Sequence, residues 1–279
     1  MTATLASALA TVETWGADHS AAALVGPDSV IDSHGDRDKP FSWASITKLA
    51  TALAVLSMVE EGLLDLEEPG GPSEATVRHL LAHASGLPFE GATVIAQPGR
   101  RRIYSNAGFD ALGELVAERA GRSFELVLTD RVLAPLGMAA TKLVGRPSAG
   151  LEGPLTDLAA LAAELLRPTI ISAATLAAAT AVAFPGLKGL LPGVGTFDPL
   201  DWGLGFEIRD AKVPHWTGTS NSAETFGHFG GAGTFLWVDP IIDRALVCLT
   251  DREFGPWALD AWPRFSDLVI ATQGARQTS

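Results

Sequence analysis

Phe41-Ser42-Trp43-Ala44-Ser45-Ile46-Thr47-Lys48 opens a run rich in alanine, leucine and methionine that stops at Gly62. The run predicts a helix over 45–61, closed by a residue that tolerates the left-handed turn at a helix end. Ser45 and Lys48 then share one face of the first turn, with Cβ atoms about 5–6 Å apart. The same turn carries unpaired N–H groups and the positive end of the helix dipole, which favour an alkoxide or oxyanion. Working outward on the N-terminal side, 4–16 reads as an amphipathic helix. Ala22 to Val25 and Val30 to Ser33 flank Gly26-Pro27-Asp28-Ser29 and read as a hairpin.

On the other side, Thr76 to Leu81 reads as a short helix ending before Ser85-Gly86. Phe109, Leu112, Leu115 and Val116 recur at helical spacing from Asn106 to Arg119, with Gly121 as terminator. Alanine-rich 155–166 and 172–181 are two more helices. Past Pro185 glycine and proline become dense, and the later segments are short and strand-like: Gly203–Ile208, Thr225–Phe229, Thr234–Val238 and Arg244–Leu249. A last helix covers Pro256 to Val269. A two-stranded hairpin is marginal alone, so the economical arrangement joins it to the C-terminal strands. The expectation is an α+β fold: one antiparallel sheet flanked by N- and C-terminal helices, with an inserted, mostly helical lobe. Residues 1–49 and 193–279 form the discontinuous sheet domain and 50–192 the helical domain. The cleft between them is the expected site.

A chain of 279 residues can bury roughly three quarters of its unfolded surface. A formal charge of -12 works against nucleic acid or an anionic membrane as partner. Oligomeric state is left open. Cys248, the single cysteine, lies in an apolar run and reads as a buried inert thiol. The apolar Met1 to Leu9 lacks lysine and arginine, a poor export signal, so the expected compartment is the cytoplasm. Arg100-Arg101-Arg102 reads as a solvated loop.

Tyr104 is the single tyrosine, in Tyr104-Ser105-Asn106. An attacking serine must lose its proton, and neutral lysine or tyrosinate can take it. Bringing a phenol from its usual range to pH 7 takes about 4 kcal/mol of preferential phenolate stabilisation, much of which one ammonium in a partly desolvated cleft can supply. The shared proton would belong to the Lys48–Tyr104 pair. Asn106 is placed to hold the lysine and to donate to a substrate carbonyl. In His228-Phe229-Gly230-Gly231-Ala232-Gly233 the glycines allow backbone to approach a ligand at a strand edge.

These three elements, in this order, resemble the serine β-lactamase/penicillin-binding protein superfamily, in the class C β-lactamase-like branch that also holds D,D-peptidases and carboxylesterases. The resemblance runs from about residue 20 to 270. It takes in Phe41 to Lys48, Val55 to Leu66, Val77 to Pro88, Pro98-Gly99, Tyr104-Ser105-Asn106, Trp202-Gly203-Leu204-Gly205 and His228-Phe229-Gly230. It implies Ser45 as acylated nucleophile, Lys48 and Tyr104 as base system, and Asn106, His228, Phe229 and Gly230 as substrate-binding. The oxyanion hole would be the N–H groups of Ser45 and Gly231. It implies no cofactor and no metal.

The third motif departs from the Lys-Thr-Gly usual in β-lactamases. Phe229 lacks the hydroxyl that meets a substrate carboxylate, and His228 is near half-charged at best around pH 6.5. The expected substrate is therefore a small, less charged ester or amide, with a β-lactamase or D-alanyl-D-alanine carboxypeptidase as alternative. A non-catalytic binding protein is the rival outside enzymes. His79 and His83 have metal-like spacing without an accompanying Glu or Cys, and read as hydrogen-bonded helix-end residues. His215-Trp216-Thr217 reads as a cleft wall or a surface turn.

Overall fold

The computed structural model describes residues 3–71 and 74–274. The first helix, α1 (Leu5–Leu9), continues as a 3-10 helix to Trp15, and the hairpin β1 (Ser20–Val25) and β2 (Val30–His34) follows. After β3 (Phe41–Ser42) come α2 (Thr47–Glu60), α3 (Val77–Leu81), β4 (Arg102–Ile103), α4 (Asn106–Ala120) and α5 (Phe124–Leu128). Next are β5 (Lys142–Leu143), β6 (Leu151–Gly153), α6 (Leu155–Leu166), α7 (Ala173–Ala179), β7 (Gly189–Leu191) and β8 (Gly195–Phe197). The chain ends with β9 (Glu207–Ile208), β10 (Phe226–Gly230), β11 (Thr234–Asp239), β12 (Arg244–Thr250) and α8 (Pro256–Gly274).

The main sheet has six strands in the order β2-β1-β12-β11-β10-β9, with every pairing antiparallel. The hairpin joins the C-terminal strands through β1 and β12, from Ser20 opposite Thr250 to Val25 opposite Ala245. Side chains alternate across a strand, and here both faces are covered. Ala21, Ala23 and Val25 enter one core with Leu49 and Leu53 of α2 and Leu158 and Leu161 of α6. Ala22 and Leu24 enter a second core with Leu5 and Leu9 of α1 and Trp262 and Phe265 of α8. Double burial explains why these strands read as continuous apolar runs. Cys248 is buried in the second core, and burial pushes its thiol up, as an inert group requires.

The long elements follow the sequence reading closely. In α4 the Ser105 hydroxyl accepts from Gly108 N–H at 2.9 Å, and Gly121 caps the other end at φ +67°. Strands of two or three residues were invisible, since such pieces carry no period: only Glu207–Ile208 of Gly203–Ile208 is strand. Two three-stranded sheets, β3-β6-β5 and β4-β7-β8, are built from these short pieces.

Arg102 departs from the solvated loop expected of its triplet. It is 2% exposed, and its guanidinium donates to the carbonyls of Leu200 (3.0 Å), Ala82 (2.5 Å), Ala183 (2.7 Å) and Phe184 (3.3 Å). Burial lowers its pKa only to about 10, so it keeps its charge at neutral pH. Three loops converge on this side chain two residues before Tyr104. Arg102→Met would leave those carbonyls without their donor. We expect a loss of about 3 kcal/mol of stability, read as a lower urea midpoint with the slope unchanged.

Candidate active site

The turn bearing Ser45 is held from three sides. Trp43 is fully buried; its indole N–H donates to Gly153 O (3.0 Å) and its backbone N–H to Leu151 O (2.9 Å). Ala44 follows at φ +46°, a left-handed conformation uncommon for alanine, and swings the chain into a 3-10 turn, Ala44–Ile46. From the sheet, Thr234 Oγ1 donates to Trp43 O at 3.1 Å. A Cβ on Gly230 would stand 2.5 Å from that same carbonyl. Glycine at 230 is thus what lets β10 reach the turn. Ser45 sits on this turn rather than inside α2, which begins at Thr47, yet it keeps its i,i+3 relation to Lys48.

Lys48 is wholly buried. Its Nζ lies 2.6 Å from Asn106 Oδ1, 2.8 Å from Ser148 O and 3.2 Å from Ser45 Oγ. Burial brings its pKa down to about 7, with Asp110 and Glu90 pulling upward and Arg146 downward. Two of its three partners are obligate acceptors. A neutral amine satisfies them with its two hydrogens and is left with a lone pair for the Ser45 hydroxyl. The Asn106 amide is oriented by its other end, where Nδ2 donates to Glu90 Oε1 at 2.9 Å. Glu90 is gripped by both terminal nitrogens of Arg146 at 2.7 Å, and the hydrogen bonds of Arg146 and Asn106 hold its carboxyl down to about 2. Asp110 completes the set, accepting from Ser148 N–H at 3.1 Å.

Tyr104 behaves otherwise than its expected pairing with an ammonium. Burial pushes its phenol above the ordinary range, against a smaller pull from a hydrogen bond with Ser45. Lys48 Nζ lies over its ring, 4.8 Å from the centroid. Low polarity therefore disfavours the charged form of both partners, and the lysine, not the tyrosine, is the group poised near pH 7. Tyr104 Oη lies 3.2 Å from His228 Nε2, while His228 Nδ1 lies 2.6 Å from Phe229 O. That carbonyl can only accept, so Nδ1 carries the proton and Nε2 accepts from the phenol. Burial, then the Lys48 charge, lowers the His228 pKa to about 3. Neutral, with both nitrogens engaged, His228 has no free ring nitrogen to offer an anion.

Ser45, Tyr104, His228, Phe229 and Gly231 line one cavity of about 210 Å³, closed by Phe89, Leu191, Pro192, Gly193 and Phe254. Gly231 directly follows β10, and the space where its Cβ would stand is open. Phe229 faces Phe254 at 4.7 Å and Trp216 at 5.7 Å between centroids. Of the residues named for the site, these five line the cavity, and Lys48 and Asn106 connect to it through Ser45.

Glu90, Arg146, Ser148 and Asp110 are the supporting residues that the motifs did not announce. His83 is another: it accepts from Ser105 N–H at 3.1 Å, and its buried ring lies 4.5 Å from Tyr104 and 4.8 Å from Trp202. His79 instead caps its own helix, with Nδ1 2.8 Å from Thr76 Oγ1. His215 is neither cleft wall nor surface turn. It is buried on Glu207 at 3.0 Å beside Lys212 at 2.8 Å. Burial works to raise the Glu207 carboxyl, but these two partners hold it at about 2. Among the described residues no cluster of His, Cys, Asp and Glu suits a metal ion, and no helix is long and apolar enough to cross a membrane.

A family model described as Beta-lactamase matches residues 20–269. A crystal structure of a beta-lactamase from Mycobacterium bovis is similar with a TM-score of 0.94 and 51% identity, over 95% of this chain and 99% of that one. A penicillin-binding protein of Bacillus subtilis is 28% identical over 139 residues, 38% of this chain and 31% of its own length. The D-alanyl-D-alanine-carboxypeptidase/endopeptidase AmpH of Escherichia coli K12 is 25% identical over 143 residues, 37% of each chain. The match spans about a third of the length of these two curated relatives.

Proposed function

This chain belongs to the beta-lactamase family of serine hydrolases, and on that premise we propose that it is a carboxylesterase-like enzyme of the class C type. Ser45 is acylated by a small ester or amide. The observation that carries the reading is the surroundings of Lys48. A buried amine near neutrality, with two fixed acceptors, keeps its lone pair for the Ser45 hydroxyl 3.2 Å away.

In the cycle we propose, Ser45 Oγ attacks the substrate carbonyl carbon as Lys48 takes its proton. The N–H groups of Ser45 and Gly231 hold the oxyanion that forms. As the tetrahedral species collapses, the alcohol or amine leaves with the Tyr104 proton, and the lysine ammonium restores the phenol. Water then repeats the sequence on the acyl-enzyme, with Lys48 again the base. Asn106 keeps Lys48 in place and His228 keeps Tyr104 in place. Phe229 supplies apolar wall.

The second reading, β-lactamase or D,D-carboxypeptidase activity, draws on the Mycobacterium bovis neighbour and on the two curated relatives. Against it stands the third motif. A neutral, fully engaged His228 and a hydroxyl-free Phe229 leave a substrate carboxylate without the partners it needs. The test compares kcat/KM for p-nitrophenyl butanoate and nitrocefin on the same preparation. We expect the ester to be preferred; a preference for nitrocefin beyond about tenfold, or 1.4 kcal/mol of transition-state stabilisation, would reverse the ranking.

A further inference from the structure

We propose that the substrate carries an extended apolar chain, which leaves the Ser45 cavity across the Tyr104 ring and lies in a second, larger cavity beyond it. This rests on the reading of Ser45 as the acylated residue. The second cavity measures about 460 Å³ and is lined by Phe89, Ile95, Ile103, Tyr104, Leu190 and Pro192. Phe89, Tyr104 and Pro192 also line the Ser45 cavity, so the two are lobes of one cleft.

Three large apolar side chains that the fold leaves open to solvent converge on the outer lobe: Phe89 at 49% exposure, Ile95 at 61% and Leu190 at 57%. Single exposed apolar residues are ordinary, but a contiguous group beside a reactive centre marks a binding surface. Hydrogen-bonded backbone presets the lining. The parallel pairing of β4 with β7 places Ile103 against Leu190. Ile95 N–H donates to Gly86 O and Asn106 N–H to Phe89 O, each at 2.9 Å. The Phe89 ring stacks on Tyr104 at 5.9 Å between centroids and 27° between planes.

The two charged residues of the lining do not alter its character. Arg102 turns its guanidinium to backbone carbonyls, and Arg101 is exposed at the rim. What such a lobe rewards is methylene groups taken out of water, each worth about three- to fourfold in affinity.

The test measures kcat/KM along two ester series, p-nitrophenyl esters from acetate to decanoate and alkyl acetates from methyl to octyl. We expect one series to climb by about thirtyfold or more before levelling, and the series that climbs identifies which half of the ester lies in the lobe. Leu190→Trp fills the lobe and Ile95→Asp sets a charge in it. Each should cut the octyl-to-short-chain ratio of the climbing series at least about tenfold. Two flat series, or a climb that both substitutions leave intact, would overturn the proposal. A parallel measurement needs no turnover: calorimetric binding of butanoate, octanoate, butyl acetate and octyl acetate to Ser45→Ala. If the parent hydrolyses nothing, the reading of Ser45 fails. Tighter binding of the longer chain still upholds the lobe in that case, and chain-independent binding sinks it.

Discussion

Ser45→Ala is expected to lower kcat/KM for a p-nitrophenyl ester by roughly 10⁴- to 10⁶-fold, the range seen when a serine hydrolase loses its nucleophile. The same change should abolish the mass increment left by an active-site phosphonate. The size follows from the route: without Oγ there is no acyl-enzyme, and residual catalysis comes only from binding and the oxyanion donors. Stability should scarcely move. Ser45 is only partly buried, and the turn is held by Trp43, Thr234 and the glycine at 230 rather than by the serine hydroxyl. An alanine variant that is labelled as fully as the parent would refute a covalent mechanism at this residue.

Lys48→Met should cost roughly 10³- to 10⁴-fold in kcat/KM, the upper part of what a positioned general base supplies. Methionine keeps the unbranched stem and removes the amine that faces Ser45. The pH profile separates loss of a base from loss of shape. Burial holds the Lys48 ammonium down to about 7, and the neutral amine is the form that accepts a proton. Parent activity should therefore rise with pH through an ionisation near 7 and level off above it. The residual activity of the methionine variant should lack that limb. A variant that keeps the limb would assign the base to another group. His228, lowered to about 3 by burial, and Tyr104, raised above its ordinary range, both lie far from that window.

Much of the cleft was legible because its chemistry is local in sequence. Ser45 and Lys48 are three residues apart, Tyr104 and Asn106 two, and the glycines of the third motif adjoin His228. Helices such as Leu155–Leu166 and the terminator Gly121 were legible for the same reason: period and capping are short-range signals. What escaped was set by partners far along the chain. Ser148 reaches Lys48 across 100 positions and Arg146 reaches Glu90 across 56. The protonation logic also escaped, because it depends on the degree of burial: full enclosure raises the phenol and lowers the ammonium to about 7, so the lysine rather than the tyrosine titrates near neutral pH. Arg102 shows the same limit, since nothing in an arginine triplet tells which member turns inward.

The doubly covered sheet has a bearing on how such a protein can change its diet over generations. Ser45, Lys48 and His228 stand on elements anchored in one or other of the two cores. Phe89 and Ile95 stand on a loop and Leu190 on the short strand β7, with side chains exposed at the mouth of the cleft. Mutation can therefore resculpt what the cleft accepts while the reactive group stays put. Selection can then vary the mouth of the cleft separately from its reactive groups, and new substrates need not be gained at the expense of the fold.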